Sequence, residues 1–328
     1  MRACLLSLLI ILASTVQARP FAPAVVYALG SKFDRSFNEA AYTGAERFRA
    51  ETGIDYFEFE TTAAVQREQT LRRLAGRGSD PIVAIGFGQA AALETVAPEF
   101  PDTRFTLIDA VVDLPNVRSV VFREHEGAFV VGALAAMASE TGTIGFVGGM
   151  DIPLVRRFAC GYAQGARYID SHIRVLQNMA GTTQAAFNDP ATGKELGRSQ
   201  IDRGADVIFA AAGSTSFGTH QAAVEAGKLL IGVDSNQNHL HPGYFLTSLL
   251  KRVDNAVYDT FMAARAGRWK AGIQSLGLAE GGLDWALDEH NRALISPAME
   301  EAAGRLAAEI AHGTLTVHDF VANGRCPE

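Results

Sequence analysis

Two phenylalanines occupy positions where aromatic rings could bind a flat ligand. Phe37 lies in the first turn of the first predicted helix, and Phe217 lies shortly after a predicted strand at residues 207–211. Two rings facing each other across a cleft would sandwich a heterocycle, each face contributing roughly 1–3 kcal/mol by analogy with base stacking. Either ring alone is more typical of a core or rim residue. A stacking site is therefore indicated only if the fold brings the two rings together.

Two charged residues follow predicted strands in the second half of the chain. Asp234 comes directly after residues 229–233, where its carboxylate could accept both hydroxyls of a vicinal diol. The same position also suits an Asp that caps a turn or helix. Lys251 follows the predicted strand at residues 244–248, where a solvated lysine is the ordinary expectation.

One glycine-rich motif resembles a dinucleotide-binding fingerprint. The segment Gly86-Phe-Gly-Gln-Ala-Ala91 follows a predicted strand, opens a helix and precedes Asp109 by about twenty positions. However, it follows the third strand and not the first, and Ala91 replaces the third glycine. We interpret it as a tight turn that lines a cleft and places Phe87 there, without a nicotinamide cofactor.

Other catalytic and metal-binding patterns are incomplete. The segment Asp234-Ser-Asn-Gln-Asn238 resembles the start of a calcium loop, but His239 and Phe245 occupy its glycine and glutamate positions. The pair His239 and His241 has no further ligand at zinc-binding spacing. The sequence has neither a Gly-x-Ser-x-Gly elbow nor a Walker loop. We therefore expect no metal, no cofactor and no catalysis.

The elements that must position these residues alternate along the chain. Short β-branched runs alternate with amphipathic segments, and the pattern starts again near residue 143. Such alternation predicts two α/β units, each a doubly wound parallel sheet covered by helices. Ser36 and Glu39 form a predicted capping box at the first helix. Ligands bind beyond the carboxyl ends of such strands, which singles out residues 30–38, 86–88, 109, 148–156, 213–218 and 234–237.

Composition excludes several classes of protein. The chain has 328 residues, a formal net charge of −7 and 29 Lys and Arg against 36 Asp and Glu. Without a basic excess, nucleic-acid binding is not expected to be its main task. Its length is enough for about two domains.

The first residues resemble a secretory signal. A short positive segment ending at Cys4 precedes an apolar run at residues 5–13, and Ala18 ends a small-x-small cleavage site. The alternative is an unusually apolar N-terminal strand. A lipoprotein would need its cysteine just after the apolar run, so we expect an exported protein with no lipid anchor. In an oxidising compartment Cys160 and Cys326 could pair, but sequence alone leaves their pairing open.

Several segments together resemble the basic membrane protein family of ABC-transporter substrate-binding proteins, the purine-nucleoside receptor type. The resemblance runs nearly end to end through the chain after the signal. The matching segments are Asp34-Arg-Ser-Phe-Asn38, Pro115-Asn-Val117, Glu126-Gly-Ala-Phe129, Gly145-Phe-Val-Gly-Gly-Met-Asp-Ile-Pro153 with Phe158 and Gly161, Ile231-Gly-Val-Asp-Ser-Asn-Gln237, and Thr247-Ser-Leu-Leu-Lys251. Departures are the less Gly-rich loop at residues 213–218 and Asn236, where an Asp is common.

The resemblance implies a type I periplasmic-binding-protein fold whose two doubly wound lobes close on a ligand. We expect a signal peptide at 1–18, one lobe from 19–122 plus 246–275, and the other from 123–245 plus 276–328. The resemblance further implies that Phe37 and Phe217 stack on a base, Asn38 and Asp109 read its polar edge, and Asp234 and Lys251 hold ribose hydroxyls. The predicted ligand-binding set is Ser36, Phe37, Asn38, Phe87, Asp109, Gly213, Phe217, Asp234 and Lys251.

The function implied is a monomeric periplasmic receptor that captures a nucleoside, with a purine as its base, and delivers it to an ABC permease in the inner membrane. Three alternatives stay open. The ligand could be a free purine base, the protein could be the ligand-sensing subunit of a signalling receptor, or the cleft could belong to a nucleosidase.

Overall fold

The computed structural model describes residues 21–327 and contains two six-stranded sheets. The first sheet has the order β11-β5-β4-β3-β1-β2, and all its strands are parallel. Its strands are β1 (Ala24–Val26), β2 (Phe57–Phe59), β3 (Ile82–Ala84), β4 (Phe105–Ile108), β5 (Val117–Phe122) and β11 (Gly272–Leu276). Helices α1 (Phe37–Thr52), α2 (Gln66–Gly76), α3 (Ala90–Val96) and α8 (Val253–Arg265) accompany it.

The second sheet has the order β12-β10-β9-β8-β6-β7, in which only the pairing of β12 with β10 is antiparallel. Its strands are β6 (Thr143–Met150), β7 (Arg174–Gly181), β8 (Val207–Ala211), β9 (Leu229–Asp234), β10 (Phe245–Lys251) and β12 (Leu283–Trp285). Its helices are α4 (Glu124–Ala138), α5 (Pro153–Ile169), α6 (Pro190–Asp202), α7 (Ser216–Glu225) and α9 (Pro297–Ala311). The doubly wound α/β architecture predicted from strand–helix alternation is confirmed.

The chain passes between the two halves at three crossovers, which contact one another. They lie between β5 and α4, between β10 and α8, and between β11 and β12. The backbone N–H of Arg123 donates to the Leu276 carbonyl at 2.8 Å, and that of Arg252 donates to the Gly282 carbonyl at 2.9 Å. Closely bonded crossovers of this kind allow two lobes to move as a hinge.

The strand β10 lies in the second sheet, whereas the sequence assigned residues 246–275 to the first lobe. It pairs with β9 and β12, and the chain returns to the first sheet only with α8, which packs on α1. The sequence also missed β11 and β12, since both are short and the solvent-exposed residues of β11 carry no apolar alternation.

Helices α4 and α5 of the second half pack closely against each other. A Cβ added at Gly161 or Gly165 of α5 would collide with the backbone of α4, so these glycines set the approach of the two helices. On the other side of α5, Cys160 forms a disulfide with Cys326, with Cα atoms 5.5 Å apart. The pairing that sequence left open is therefore present.

Within residues 21–327, no helix combines the length and apolar character needed to cross a membrane.

Candidate functional site

A cavity of about 930 Å³, measured to its open mouth, lies between the carboxyl edges of the two sheets. Every segment that the sequence placed after a strand end reaches it, in agreement with the rule for open parallel sheets. The cavity is lined by seven of the nine predicted site residues, namely Phe37, Asn38, Phe87, Asp109, Gly213, Asp234 and Lys251. Ser36 lies directly behind it, and Phe217 lies elsewhere.

Three aromatic side chains give the cavity its apolar walls. Phe37 begins α1 on one side, and Phe187, in the short 3₁₀ helix after β7, lines the other side. Phe87 meets Phe187 across the cleft, with ring centroids 6.3 Å apart. A ring of the second half therefore lines the cavity, but it is Phe187 and not Phe217, and the ring that it meets is Phe87 and not Phe37.

The prediction that Phe217 lines this site is corrected by the fold. Residues 213–215 form a 3₁₀ turn before α7, which carries Phe217 to the outer side of the helix, against Pro190 and Lys194 of α6. Gly213 itself does line the cavity, with φ +56 and the Phe187 carbonyl 3.0 Å from where its Cβ would lie. The signal that could have found Phe187 is that it is an aromatic residue shortly after a strand end, that of β7.

The loop before α1 is organised by Asp34 and not by the predicted Ser36–Glu39 capping box. The Asp34 carboxylate accepts from the backbone N–H of Ser36, Asn38 and Glu39 at 2.9, 3.0 and 3.1 Å. Ser36 makes no cap hydrogen bond, because its hydroxyl donates across the cleft to Asp234. Burial raises the pKa of Asp34 to about 6, against the lowering effect of these N–H donors.

The amide of Asn38 is also used within this loop. Its Oδ1 accepts from the Ala28 N–H at 3.0 Å, and its Nδ2 donates to the Ser31 carbonyl at 3.1 Å. Asn38 therefore holds the β1–α1 connection in shape where it lines the cavity. This contact is a structural role that the sequence did not predict.

A buried ammonium group forms one end of the cavity. Lys251 Nζ donates to Asp109 Oδ2 at 2.7 Å and to Glu124 Oε1 at 2.9 Å, and it is 2% exposed. It also lies 5.2 Å from the centroid of the Phe37 ring, within cation–π distance. The two carboxylates raise the pKa of Lys251 despite its burial, so it is charged at neutral pH. A lysine at such a position is ordinarily solvent-exposed, whereas Lys251 is buried and paired with two carboxylates.

The carboxylates at this end retain capacity to bind a ligand. Among the described residues, Asp109 Oδ1 is buried without a hydrogen-bond partner, and burial raises the pKa of Asp109 to about 6. Asp109 and Asp234 have φ values of +71 and +65, in the left-handed region that side chains seldom adopt. Strained backbone at two acidic residues in one cavity is typical of a functional site.

The charge network continues behind the cavity through the first crossover. Glu124 Oε2 accepts from Arg157 Nη1 at 2.9 Å, and Arg157 Nε donates to Asp319 Oδ1 at 2.8 Å. Glu124 and Lys251 stand where β5 passes to α4 and where β10 passes to α8. The ion pair therefore joins the binding cavity to two of the three crossovers. The sequence did not single out Glu124 or Arg157, whose importance follows from this long-range pairing.

The opposite end of the cavity contains polar residues that the sequence also missed. Arg67 of α2 donates from Nη2 to Gln184 Oε1 of the other half, and Gln89 follows β3. Outside the cavity, Asp288, Glu289 and His290 have side-chain oxygen and nitrogen atoms within 4.8 Å of one another. The Asp288 carboxylate already accepts from Asn236 and Asn238 at 2.7 and 3.0 Å, which gives it a structural role.

Two doubly wound halves around a polar and aromatic cavity define a solute-binding protein of the type I periplasmic fold. The chain belongs to the Bmp family of PnrA-like ABC transporter substrate-binding proteins, whose model matches residues 22–310. The family resemblance noted in the sequence is confirmed. Since this is a family of binding proteins, the expectation that the chain is not an enzyme is confirmed as well.

Relatives and solved structures agree with this assignment. An uncharacterised lipoprotein of Pyrococcus furiosus is 36% identical over 282 residues, which are 81% of this chain and 70% of that protein. The ABC transporter nucleoside-binding protein BmpA of Lactococcus lactis is 30% identical over 307 residues, 87% of this chain and 85% of that protein. The crystal structure of a solute-binding protein of an ABC transporter system from Aeropyrum pernix has a TM-score of 0.83 and 30% identity, and covers 92% of this chain and 94% of that chain.

One sequence expectation is wrong by this comparison. Relatives from three Pyrococcus species are named lipoproteins, which contradicts the expectation of a periplasmic protein with no lipid anchor. That expectation depended on Cys4 preceding the apolar run. Cys4 and the proposed signal at 1–18 lie outside the described residues.

Proposed function

We propose that the cavity binds a nucleoside, with a purine as its base, and that the protein delivers it to the permease of an ABC transporter. The observation that carries this proposal is the combination, in one cavity, of an aromatic slot and a buried acid–lysine cluster. The first suits a flat heterocycle and the second suits hydroxyl groups. The Lactococcus relative named as nucleoside-binding supports the same ligand class.

The base is proposed to lie between Phe37 and Phe187. An aromatic ring stacks on any nucleobase, and each stacking contact contributes roughly 1–3 kcal/mol. A purine presents the larger face and fills more of the space between the two halves. The slot forms only when the halves approach, because Phe37 and Phe187 belong to different halves. Binding and closure are thereby coupled.

The sugar is proposed to lie at the Lys251 end. Asp234 and Asp109 offer carboxylate oxygens that accept hydroxyl hydrogens, and Lys251 offers a donor to a hydroxyl oxygen. Hydrogen bonds that involve charged groups are stronger than neutral ones. Because Asp109 is already paired with Lys251, we place it with the sugar group instead of at the edge of the base. Ribose hydroxyls would then satisfy the free Oδ1 of Asp109.

Isothermal titration of the protein, unfolded and refolded to strip carried-over ligand, tests this function. The panel comprises purine and pyrimidine nucleosides, free bases and free sugars, and the ligand is recovered afterwards. Tight one-to-one binding of a purine nucleoside that is returned intact supports the proposal. Binding of free bases alone would replace it with the base-binding alternative, while a hydrolysed ligand would favour a nucleosidase. Absence of binding by demonstrably folded protein would refute it.

A single variant separates the sugar contact from the rest of the site. Asp234→Ala removes the proposed diol acceptor, so it should weaken a nucleoside roughly tenfold or more while changing the affinity for the free base much less. Equal losses for nucleoside and base would show that Asp234 acts only through its bond with Ser36.

A further inference from the structure

The polar residues at the far end of the cavity lie opposite the proposed sugar site. Arg67 follows β2 and Gln184 follows β7, and both of these strands are the outermost strands of their sheets on the same side. Asp109 follows β4 and Lys251 ends β10, and both of these strands lie nearer the other side of their sheets. A nucleoside with its sugar at Lys251 therefore directs the distal edge of its base towards Arg67, Gln184 and the neighbouring Gln89.

Two polar atoms at this end lack partners among residues 21–327. Gln89 is 1% exposed, and its Nε2 donates to the Tyr27 carbonyl at 3.2 Å, which fixes the orientation of the amide. Its Oε1 is buried and unpaired, and so is Nε of Arg67. Both residues line the cavity. Buried polar groups are nearly always paired in folded proteins, so two unpaired ones in a ligand cavity point to partners on the ligand.

The chemistry of the two atoms is complementary. A guanidinium nitrogen can only donate and an amide oxygen can only accept. The carbonyl oxygen of a 6-oxopurine suits an arginine, in the way that arginine recognises guanine, and its ring N1–H suits an amide oxygen. A 6-aminopurine would turn an amino donor towards the guanidinium and a ring acceptor towards the amide oxygen. With the sugar held at the other end, the base cannot slide to exchange these partners.

We infer, on the basis of the proposed nucleoside function, that Arg67 and Gln89 form a base-reading end that selects 6-oxopurine nucleosides over 6-aminopurine nucleosides. Gln184 positions the arginine by accepting from its Nη2. Because Gln184 belongs to the other half, the reading geometry is completed only as the cleft closes. Base selection then acts mainly on the rate at which the closed complex opens.

Ligand variants test the inference on the unmodified protein. Inosine is compared by titration with purine riboside, which lacks both the 6-oxygen and the N1–H, with 1-methylinosine, which lacks only the N1–H, and with adenosine. We expect inosine to bind roughly tenfold or more tightly than each of the others, since each leaves a buried group unpaired. Equal affinities for all four would overturn the inference and leave the nucleoside function standing. Failure of folded protein to bind any of them would count against the proposed function itself.

Protein variants then assign the effect to Arg67. Arg67→Met removes both the proposed contact with the 6-oxygen and the bond to Gln184, so it should weaken inosine more than it weakens purine riboside. Arg72→Met, which removes an exposed arginine of the same helix, is the matched control and should alter neither ligand. Gln184→Leu removes the bond between the halves but leaves the guanidinium in place, so it should weaken the two ligands more evenly than Arg67→Met does. If Arg67→Met also weakened both equally, Arg67 would act in closure and its reading role would be refuted.

Discussion

The hydroxyl of Ser36 lies 2.5 Å from Oδ2 of Asp234, and this bond joins the two halves of the molecule across the cleft. Two neighbouring contacts follow the same path, from Ser235 Oγ to the Ser36 carbonyl and from Gln237 Nε2 to the Arg35 carbonyl, both at 2.8 Å. The loop before α1 is thus tied to the loop after β9. The described conformation is therefore the closed one, and Asp234 serves both closure and the proposed sugar contact.

Removal of the Ser36 hydroxyl should loosen the closed state. For Ser36→Ala we expect the dissociation rate of a bound nucleoside to rise roughly 2- to 10-fold, the effect of losing one ordinary hydrogen bond. Stopped-flow displacement measures this rate. Thr43→Ala removes an exposed hydroxyl of the same helix and should leave the rate unchanged. A Ser36 variant with the dissociation rate of the unmodified protein would show that this bond does not hold the cleft shut.

The affinity for a nucleoside should fall on acidification. Burial raises the pKa of Asp234 to about 6, although Lys251 and the Ser36 hydroxyl oppose this shift. The ionised carboxylate is the better acceptor for a diol, so the affinity for inosine should decrease as the pH falls through about 6. Titration between about pH 5 and pH 8 measures the decrease, and Asp234→Asn should reduce it, leaving the part that is due to Asp109, whose pKa is also raised to about 6. A wild-type affinity that is constant over this range would contradict the assigned role of the carboxylate.

The same group should affect folding with the opposite sign. Because the pKa of Asp234 in the folded state lies above the ordinary value of 3.8, the native protein takes up this proton at a pH where the unfolded chain is still ionised. Its contribution to the free energy of unfolding therefore increases as the pH falls through about 6 towards 4. The difference between the unmodified protein and Asp234→Asn, followed by urea denaturation against pH, isolates this contribution. A difference that grew in the other direction would place the folded pKa below 3.8.

Loss of the buried ammonium should destabilise the fold strongly. Lys251→Met leaves Asp109 and part of Glu124 uncompensated in the interior, which costs about 3–5 kcal/mol of unfolding free energy for a buried pair of this kind. Urea denaturation measures the loss. The double variant Lys251→Met with Asp109→Asn should recover part of it, because one uncompensated charge is removed. Additive losses in the two single variants would contradict the pairing.

The disulfide should stabilise the protein without contributing to binding. Cys160 and Cys326 are 166 positions apart, and a loop of that length predicts a loss of roughly 2–5 kcal/mol when both are replaced by Ser. The C-terminal segment also contacts Arg157 through Asp319, at 2.8 and 3.1 Å. Denaturation of the double serine variant gives the loss, and titration should show unchanged affinity. An unchanged unfolding midpoint would mean that the Arg157–Asp319 contact holds this segment alone.

The sequence predicted the architecture and most of the cavity for a simple reason. Parallel sheets place ligand-binding residues after strand ends, so locating the strands located Phe37, Asp109, Asp234 and Lys251. The family resemblance then added roles that local pattern could not provide. The order of strands, and with it the place of β10, depends on pairings between distant segments that local patterns do not encode.

The sequence-based predictions were wrong where a side chain has both a local and a distant hydrogen-bonding or packing partner available. Ser36 has the spacing of a capping residue, but Asp34 takes that role and frees its hydroxyl for Asp234. Phe217 follows a strand as Phe187 does, yet a 3₁₀ turn rotates it away from the cavity. Arg67 lies in no motif, and the glycine-rich segment at residues 86–91 directed attention to Phe87 and not to Gln89. Both residues are recognised because burial leaves one atom of each unpaired.

The most direct test of the account is a crystal structure of the refolded protein with inosine. We expect the base between Phe37 and Phe187, and ribose hydroxyls within hydrogen-bond distance of Asp234 and Lys251. An inosine bound with its sugar against Arg67, or one bound outside the cavity between the two halves, would contradict the central claim.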